Sequence, residues 1–215
     1  MSERPGRRRD RLVGAAGDNG GVSNAAVSEL AWGAVGSPVG EMSVACSAAG
    51  VARVGFGPPP GPARARSREN AAAGAPGQAG AHLGTALDQL TEYFAGRRRA
   101  FDLPVDWSGM SAPQRQVLPV LLASAGYGET VTYGALARQA GVADGGKVPA
   151  ARVTGQIMGS NPCPIIVPCH RVVAGDGLGG YSGGAGIEIK RWLLIFEGAL
   201  PATLDWDPAG AGIWA

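Results

Sequence analysis

The chain has 215 residues, of which 45% are hydrophobic and 17% are charged, which is normal for a folded protein with a buried core. Its 19 basic and 17 acidic residues give a formal net charge of +2, which is too small to predict nucleic-acid binding from charge alone. Any contact with DNA must therefore come from the placement of a few residues. The length suits one large domain or two small ones.

The cellular compartment is indicated by the cysteines and by the start of the chain. Three cysteines, an odd number, favour a reducing compartment, and no apolar run is long enough to cross a bilayer. Residues 1–28 are basic, lack the hydrophobic core of a signal peptide and are predicted to form a disordered tail. We therefore expect a cytoplasmic protein.

Residues 29–108 are predicted to form an N-terminal α/β domain. The stretch EMSVACSAAGVARVGF alternates between apolar and small or polar residues and predicts a β-hairpin with its turn at 47–50. The segment that follows, 57–82, is rich in glycine, proline and alanine and predicts a long flexible loop. His82, at the end of this segment, is interpreted as a surface histidine because no ligand lies near it at metal-binding spacing.

A helix and a strand are predicted to complete this domain. TALDQLTEYFAGRRR has apolar residues at helical spacing, and Gly96 suits a left-handed C-cap. AFDLPVDW then predicts a strand, which leads to a linker near Ser108.

Residues 109–200 are predicted to form a second, mainly helical domain, followed by a C-terminal tail at 201–215. The SAPQ sequence at Ser111 is a capping box and opens a helix that Pro119 should kink. Thr132 and Pro149 open two further helices. Two short helices joined by a turn resemble a helix-turn-helix, although an ordinary αα-hairpin has the same pattern.

The chemistry is concentrated in NPCPIIVPCHRVV, where Cys169 stands next to His170. A free cysteine is mostly a thiol at neutral pH, and a nearby imidazole can take its proton. Neighbouring side chains of an extended segment point to opposite sides, so we expect the two to communicate through a turn or a bridging water. Cys46 and Cys163 lie in apolar stretches and are interpreted as packed thiols.

A base needs a partner that orients it, and Glu197 in the last turn of the final helix is a candidate. A carboxylate at a helix C-terminus opposes the helix dipole at a cost of about 0.3–1 kcal/mol, which invites a compensating partner. His170 is one such partner; an arginine at the surface is an equally good one.

An ordered set of motifs carries a resemblance to a known family. PCHRVV, NP seven positions before its cysteine, GYSGG and KRWLLIFEG follow one another, and GSPVGEMSV, LTEYFAGRRRAFDLPV, QRQVL and YGETVTYGALA precede them in the family's order. The chain therefore resembles the methylated-DNA–protein-cysteine methyltransferases, also called alkylguanine-DNA alkyltransferases, from about residue 30 to 200. The resemblance implies an α/β (α+β) fold, with a small N-terminal sheet domain of RNase H-like type before a helical domain with a helix-turn-helix.

The resemblance also implies an irreversible reaction, in which a thiolate takes the alkyl group from the 6-oxygen of guanine. By match, Cys169 is the acceptor, His170 the water-mediated base, Glu197 its orienting carboxylate and Asn161 the amide that braces the active-site turn. Each molecule would act once, because a thioether is not readily hydrolysed. The match includes no cofactor and no metal site.

The DNA-binding residues are assigned in the same way. A buried thiol reaches a guanine in a duplex only if the base is flipped out. By match, Arg152 fills the vacated stack from a minor-groove helix and Tyr133 helps to rotate the nucleotide. Val172 offers its carbonyl to the guanine amine, and Tyr181 and Ser182 line the pocket. The expected partner is double-stranded DNA that contains alkylated guanine, and the protein is expected to be a monomer.

Departures from the family's pattern leave two other functions open. Val153, Thr154 and Gln156 are bulkier or more polar than the small residues that usually follow the arginine. A non-enzymatic binder of DNA lesions on the same scaffold is one alternative, although such relatives lack the cysteine. A thiol hydrolase is the other, but it needs a water route and an oxyanion hole, whereas the apolar stretch PIIVP excludes water.

Overall fold

The computed structural model describes residues 30–202, apart from residues 145, 147 and 185. The tail predicted at 1–28 lies outside the described residues, and so do residues 203–215 of the predicted C-terminal tail. The described chain is an α/β N-terminal half followed by a mainly helical C-terminal half, which is the predicted fold class. None of the helices within 30–202 is both long enough and apolar enough to cross a membrane.

An antiparallel sheet of three strands opens the fold. Strands β1 (Ala31–Ser37), β2 (Gly40–Ser47) and β3 (Gly50–Phe56) are neighbours in that order. The predicted hairpin is present as β2 and β3, with Met42 opposite Phe56 and Val44 opposite Val54. Directly opposed residues point to the same side of a sheet. The apolar residues of the two strands therefore form one face.

The segment 57–82 is not the flexible loop that its composition predicted. It contains helix α1 (Gly61–Ala73) and the beginning of helix α2 (Gly77–Phe94). Alanine and arginine are good helix formers, and burial stabilises a helix that composition alone leaves undecided. The burial comes from a small cluster on the sheet, which consists of Trp32, Ala45 and Ala63.

The predicted amphipathic helix is confirmed as part of α2, and Gly96 follows it with a φ of 71°. The strand predicted in AFDLPVDW is wrong, because only Val105 is bridged to the sheet. There the backbone N–H of Val51 donates to the carbonyl of Pro104 at 2.8 Å, and that of Asp106 donates to the carbonyl of Val51 at 2.9 Å. The proline supplies no N–H of its own, so the pairing does not extend into a ladder.

Within the described residues, the C-terminal half contains four α-helices: α3 (Ala112–Ser124), α4 (Tyr133–Gln139), α5 (Ala150–Gly159) and α6 (Ile187–Phe196). Both side chains of the predicted capping box at Ser111 make their hydrogen bonds. Thr132 caps α4 by accepting from the backbone N–H of Ala135 at 3.2 Å. These short-range contacts fix where the helices begin.

Helices α4 and α5 pack against each other as the helix-turn-helix pattern requires. Strand β4 (Val131–Thr132) precedes α4 and pairs in parallel with β5 (Val172–Val173), so the start of α4 lies beside the segment that follows Cys169. The two halves of the chain share one hydrophobic core, which includes Val44, Leu90, Leu118, Leu136, Ile165 and Leu193.

Gly50 is required at the turn between β2 and β3. Its φ is 139°, and a Cβ there would collide with the carbonyl group of Pro104. We expect Gly50→Ala to lower the free energy of unfolding by at least about 2 kcal/mol, because an L residue is strained at this φ and the turn would have to move. Chemical denaturation measures the change.

Gly36→Ala is the matched control, since Gly36 lies in the same sheet and a Cβ there would meet nothing within 4 Å. Its effect should stay within about 1 kcal/mol. Equal losses for both variants would contradict a specific requirement at Gly50.

Candidate active site

A stiff apolar segment carries Cys169 into the protein. Ile165, Ile166 and Val167 are buried, and Ile165 has a φ of 73°, which is uncommon for a β-branched residue. Asn161 spans this turn with two hydrogen bonds: its Nδ2 donates to the carbonyl of Val167 at 2.8 Å, and its Oδ1 accepts from the N–H of Cys163 at 3.0 Å. The amide therefore holds both sides of the turn that precedes Cys169.

Cys169 begins a single turn of 3-10 helix, Cys169–Arg171, and is 5% exposed. Burial raises the pKa of its thiol, and hydrogen bonding to Asn161 and the charge of Lys190 offset only part of that rise. The thiolate is the nucleophilic form, so a thiol in this position needs a base that removes its proton.

His170 and Glu197 supply a base and a carboxylate. The imidazole Nε2 lies 3.0 Å from the Glu197 Oε1, and both side chains are fully buried. Burial lowers the pKa of His170, and its contact with Glu197 does not reverse that direction. The ring is therefore neutral, with its proton on Nε2 facing the carboxylate and the lone pair on Nδ1. This Nδ1 is buried and has no hydrogen-bond partner among the described residues.

The imidazole and the thiol make no direct hydrogen bond, because Nε2 is engaged by Glu197 and Nδ1 has no partner within the described part of the chain. Communication between the two through a turn or a bridging water stays a prediction. The sequence predicts a partner that compensates the charge of Glu197 at the end of the final helix. Both His170, as proposed from the sequence, and an arginine contact this carboxylate.

That arginine is Arg171, which the sequence analysis did not single out. Its Nε donates to Oε2 of Glu197 at 2.8 Å, its Nη2 donates to Oε1 at 2.8 Å, and its Nη1 donates to the carbonyl of Ala125 at 2.7 Å. Burial by itself raises the pKa of Glu197, but hydrogen bonds from His170 and Arg171 outweigh it and hold this pKa well below its usual range. Glu197 is therefore an ionised carboxylate.

Tyr93 of α2 is a third partner of Glu197, and its hydroxyl donates to Oε1 at 2.7 Å. The two residues are 104 positions apart, so no spacing pattern in the sequence links them. Arg171 is different, because its place beside His170 in the CHR tripeptide is a signal that sequence inspection can use.

Lys190 of α6 is another buried group that the sequence analysis missed. Its ammonium donates to the carbonyls of Val172, Leu178 and Gly180 at 2.6, 2.5 and 3.1 Å. Burial lowers its pKa to about 8, so most of this side chain is charged at neutral pH. Lys190 therefore ties the loop that follows Cys169 to α6 and places a positive charge near the thiol.

A cavity of about 820 Å³ opens from Cys169 to the surface between α4, α5 and the loop around Tyr181. Among the residues predicted from the sequence, five line it: Cys169, Tyr133, Arg152, Tyr181 and Ser182. His170, Glu197 and Asn161 lie outside the cavity lining. His170 belongs to the Cys169–Arg171 turn, Glu197 contacts His170, and Asn161 contacts the segment before Cys169. Val172 is fully buried outside the lining, and its carbonyl already accepts from Lys190, although a carbonyl oxygen has a second lone pair.

The cavity-lining residues differ in how they are held. Arg152 is exposed at the mouth. Tyr133 donates its hydroxyl to the carbonyl of Gly180 at 3.1 Å, and Ser182 donates to that of Gly159 at 2.8 Å, so the Ser182 proton must change partner before it can bind a ligand. The hydroxyl oxygen of Tyr181 is buried, and burial together with the nearby Cys169 raises the pKa of this phenol well above its ordinary value.

The departures on α5 do not all face the cavity. Thr154 is fully buried, whereas Gln156 is exposed and lines the cavity. Val153 is half-buried. Of the three departures, only Gln156 therefore lines the cavity.

Comparison with known proteins matches both halves of the chain to one family. Residues 30–107 match the family model described as "6-O-methylguanine DNA methyltransferase, ribonuclease-like domain", and residues 112–199 match the one described as "6-O-methylguanine DNA methyltransferase, DNA binding domain". Together the two models cover both predicted halves and the whole cavity lining.

Individual relatives carry two different names. The methylated-DNA–protein-cysteine methyltransferase of Mycobacterium tuberculosis is 49% identical over 113 residues, which are 52% of this chain and 63% of that protein. The DNA base-flipping protein of Thermus thermophilus is 43% identical over 115 residues, which are 53% of this chain and 71% of that protein. The alignment with the mycobacterial protein therefore spans just under two thirds of its length.

Solved structures match a larger share of this chain. The crystal structure of Mycobacterium tuberculosis O6-methylguanine methyltransferase has a TM-score of 0.61 and 35% identity, and covers 81% of this chain and 97% of that one. A crystal structure of Mycobacterium tuberculosis OGT in complex with DNA has a TM-score of 0.59 and 33% identity, and covers 78% of this chain and 92% of that one.

The burial of neutral His170 predicts how stability depends on pH. Because its folded-state pKa is lowered, the unfolded chain binds the extra proton first, and the free energy of unfolding falls as pH drops below the unfolded-state value of about 6.5. One proton gives a slope of at most about 1.4 kcal/mol per pH unit. Denaturation at a series of pH values between about 7 and 5 measures the slope.

Replacing His170 should flatten the dependence of the free energy of unfolding on pH. We expect His170→Gln to lose most of the slope. His82→Gln is the control and should keep the slope. His82 is the only other histidine and is a half-buried residue of α2. A slope that survives His170→Gln would contradict the assignment of a neutral buried imidazole.

Proposed function

Since the chain belongs to the 6-O-methylguanine DNA methyltransferase family, we propose that it repairs DNA by a single-turnover transfer of a methyl or larger alkyl group from the 6-oxygen of guanine to Cys169. The partner is double-stranded DNA that contains the alkylated base. The protein acts as a monomer, because one chain supplies the thiol, the base, the carboxylate and the cavity lining.

One observation carries this proposal: a thiol at the inner end of an open cavity stands next to a neutral imidazole that is oriented by an ionised carboxylate. The thiol proton passes through a bridging water to Nδ1 of His170, and the resulting imidazolium is stabilised by Glu197. The thiolate then attacks the alkyl carbon. The sulfur–carbon bond forms as the bond from carbon to the 6-oxygen breaks.

The leaving guanine keeps the electron pair of the broken bond and takes up one proton, so that the repaired base is neutral. The positive charge of Lys190 near the thiol favours the thiolate before the transfer. The product is a thioether, which water does not readily cleave. Each protein molecule is therefore consumed by one repair event.

Access to the thiol requires base flipping, at a cost of a few kcal/mol. Helix α5 carries exposed Arg152 at the mouth of the cavity, a position from which it can enter the minor groove and occupy the space that the base leaves. Tyr133 lies on the other wall of the cavity, where its ring can contact the nucleotide as it turns.

A non-enzymatic function as a DNA-lesion binder is the second candidate, because one relative is named a DNA base-flipping protein. The same cavity and the same arginine serve that function. The buried chain from Cys169 to His170 and Glu197 favours transfer, since a protein that only binds a flipped base does not need an oriented base behind a thiol. A thiol hydrolase is less favoured because apolar Ile165, Ile166 and Val167 surround the turn.

A mass measurement tests transfer directly. Duplex DNA with one methylated guanine is incubated with the protein, and the peptide that contains Cys169 is weighed after digestion. We expect one methyl group per protein molecule, and Cys169→Ala should abolish the transfer while DNA binding persists. An unmodified peptide with tight binding would instead favour the lesion binder, and turnover of an ester or amide without an adduct would favour the hydrolase.

Arg152→Ala tests the flipping step. Its loss should slow methyl transfer from duplex DNA about tenfold or more, because the flipped state loses a stabilising contact, and it should change transfer from the free base by less than about twofold. Arg138→Ala is the control, since Arg138 is exposed at the end of α4 and outside the cavity lining. Equal losses on duplex and free base would sink the flipping role.

A further inference from the structure

The carboxylate that orients His170 is held from both halves of the molecule. Resting on the proposed function, we propose that Tyr93 of α2 is a positioning residue for the alkyl transfer, whose hydroxyl fixes Glu197 and, through it, the imidazole. This gives the N-terminal α/β half a direct part in the chemistry of Cys169.

The first argument is the geometry at Oε1 of Glu197. This oxygen accepts from the Tyr93 hydroxyl at 2.7 Å, from His170 Nε2 at 3.0 Å and from Arg171 Nη2 at 2.8 Å. Oε2 accepts from Arg171 Nε at 2.8 Å. Each carboxylate oxygen has two lone pairs, so the three donors at Oε1 compete for that oxygen, whereas Oε2 receives one donor. Tyr93 and His170 thus share one oxygen, and the loss of one bond changes the other.

The second argument is that the packing around Tyr93 holds its hydroxyl against Glu197. Tyr93 is fully buried, and four aromatic rings surround its own at centroid distances of 5.1 to 6.2 Å. These rings belong to Phe94, Phe101, Tyr127 and Phe196. A buried hydroxyl without a partner is destabilising, so the ring packing and the hydrogen bond fix Glu197 in one position.

The third argument is the protonation state of Tyr93. Burial, together with the negative charge of Glu197, raises the pKa of its phenol well above the ordinary value, so Tyr93 remains a donor across the pH range in which repair occurs. The hydrogen bonds that Glu197 accepts from His170 and Arg171 outweigh the effect of its burial and keep it an ionised acceptor. The direction of this hydrogen bond is therefore constant over that range.

The charged and titratable groups that face His170 and Glu197 come from several elements. They are Tyr93 from α2, Tyr127 from the loop after α3, Arg171 from the 3-10 turn, and Lys190 from α6. Arg171 and Lys190 both disfavour protonation of His170, whereas Glu197 favours it. Tyr93 carries no charge, but its hydrogen bond to Glu197 weakens the interaction by which this carboxylate favours protonation of His170.

The substitution Tyr93→Phe removes the hydroxyl and keeps the ring. Oε1 of Glu197 then interacts more strongly with His170, which raises the pKa of the imidazole and leaves the carboxylate less firmly fixed. We expect the single-turnover rate of methyl transfer to fall about tenfold below neutral pH, with the acid limb of the pH–rate profile displaced to higher pH. The loss should shrink at alkaline pH, where His170 is neutral in both proteins.

Tyr127→Phe is the matched control. Tyr127 belongs to the same aromatic cluster, and the change is chemically identical, but its hydroxyl donates to the backbone carbonyl of Phe196 at 3.2 Å. A purely structural effect of losing a buried hydroxyl would lower stability in both variants without displacing either pH profile.

The experiment measures single-turnover rates on duplex DNA with one methylated guanine, from about pH 5 to 9, for the full chain and both variants. The amplitude of each reaction gives the folded fraction, so the rate constant remains measurable if part of a variant misfolds. A displaced acid limb in Tyr93→Phe alone supports the proposal. An unchanged profile in Tyr93→Phe, or the same displacement in Tyr127→Phe, overturns it. No transfer by the unsubstituted chain would instead overturn the proposed function, and the positioning role with it.

Discussion

A buried negative charge holds this protein's candidate site together. Placing a carboxylate in a protein interior costs several kcal/mol unless charge and hydrogen bonds compensate it. Glu197 receives both from Arg171, with further hydrogen bonds from His170 and Tyr93. These partners come from α2 and from the turn at Cys169–Arg171, while Glu197 itself lies at the end of α6, so the compensation of one charge joins segments that are far apart in the chain.

The three cysteines differ in their neighbours and not in their burial. Cys46, Cys163 and Cys169 are all buried, and burial raises the pKa of each thiol, to about 12 for Cys46. Only Cys169 stands in a cavity wall beside a histidine that is held by a carboxylate. Burial therefore disfavours the thiolate at all three positions, and among the three cysteines only Cys169 has an oriented imidazole beside it.

The N-terminal half does more than support the helices. Phe56 of β3 packs edge-on to Tyr181 at a centroid distance of 6.4 Å, and a Cβ at Gly183 would come within 2.6 Å of the Phe56 ring. Glycine at 183 thus lets the sheet approach the loop that lines the cavity. With Tyr93 at Glu197, the sheet and α2 reach the site at two points, which fits a core that is continuous across both halves.

What the sequence by itself determined were the features that depend on near neighbours in the chain. The capping box at Ser111, the N-cap at Thr132, the β2–β3 hairpin and the adjacency of Cys169 and His170 are of this kind, because each involves residues within a turn or a strand pair. The ordered motifs also indicated which residues line the cavity. Tertiary structure alone decided that α1 is a helix, that Lys190 ties down the loop after Cys169, and that Tyr93 donates to Glu197. The physical reason is that these depend on burial and on hydrogen bonds between distant segments, which no local spacing encodes.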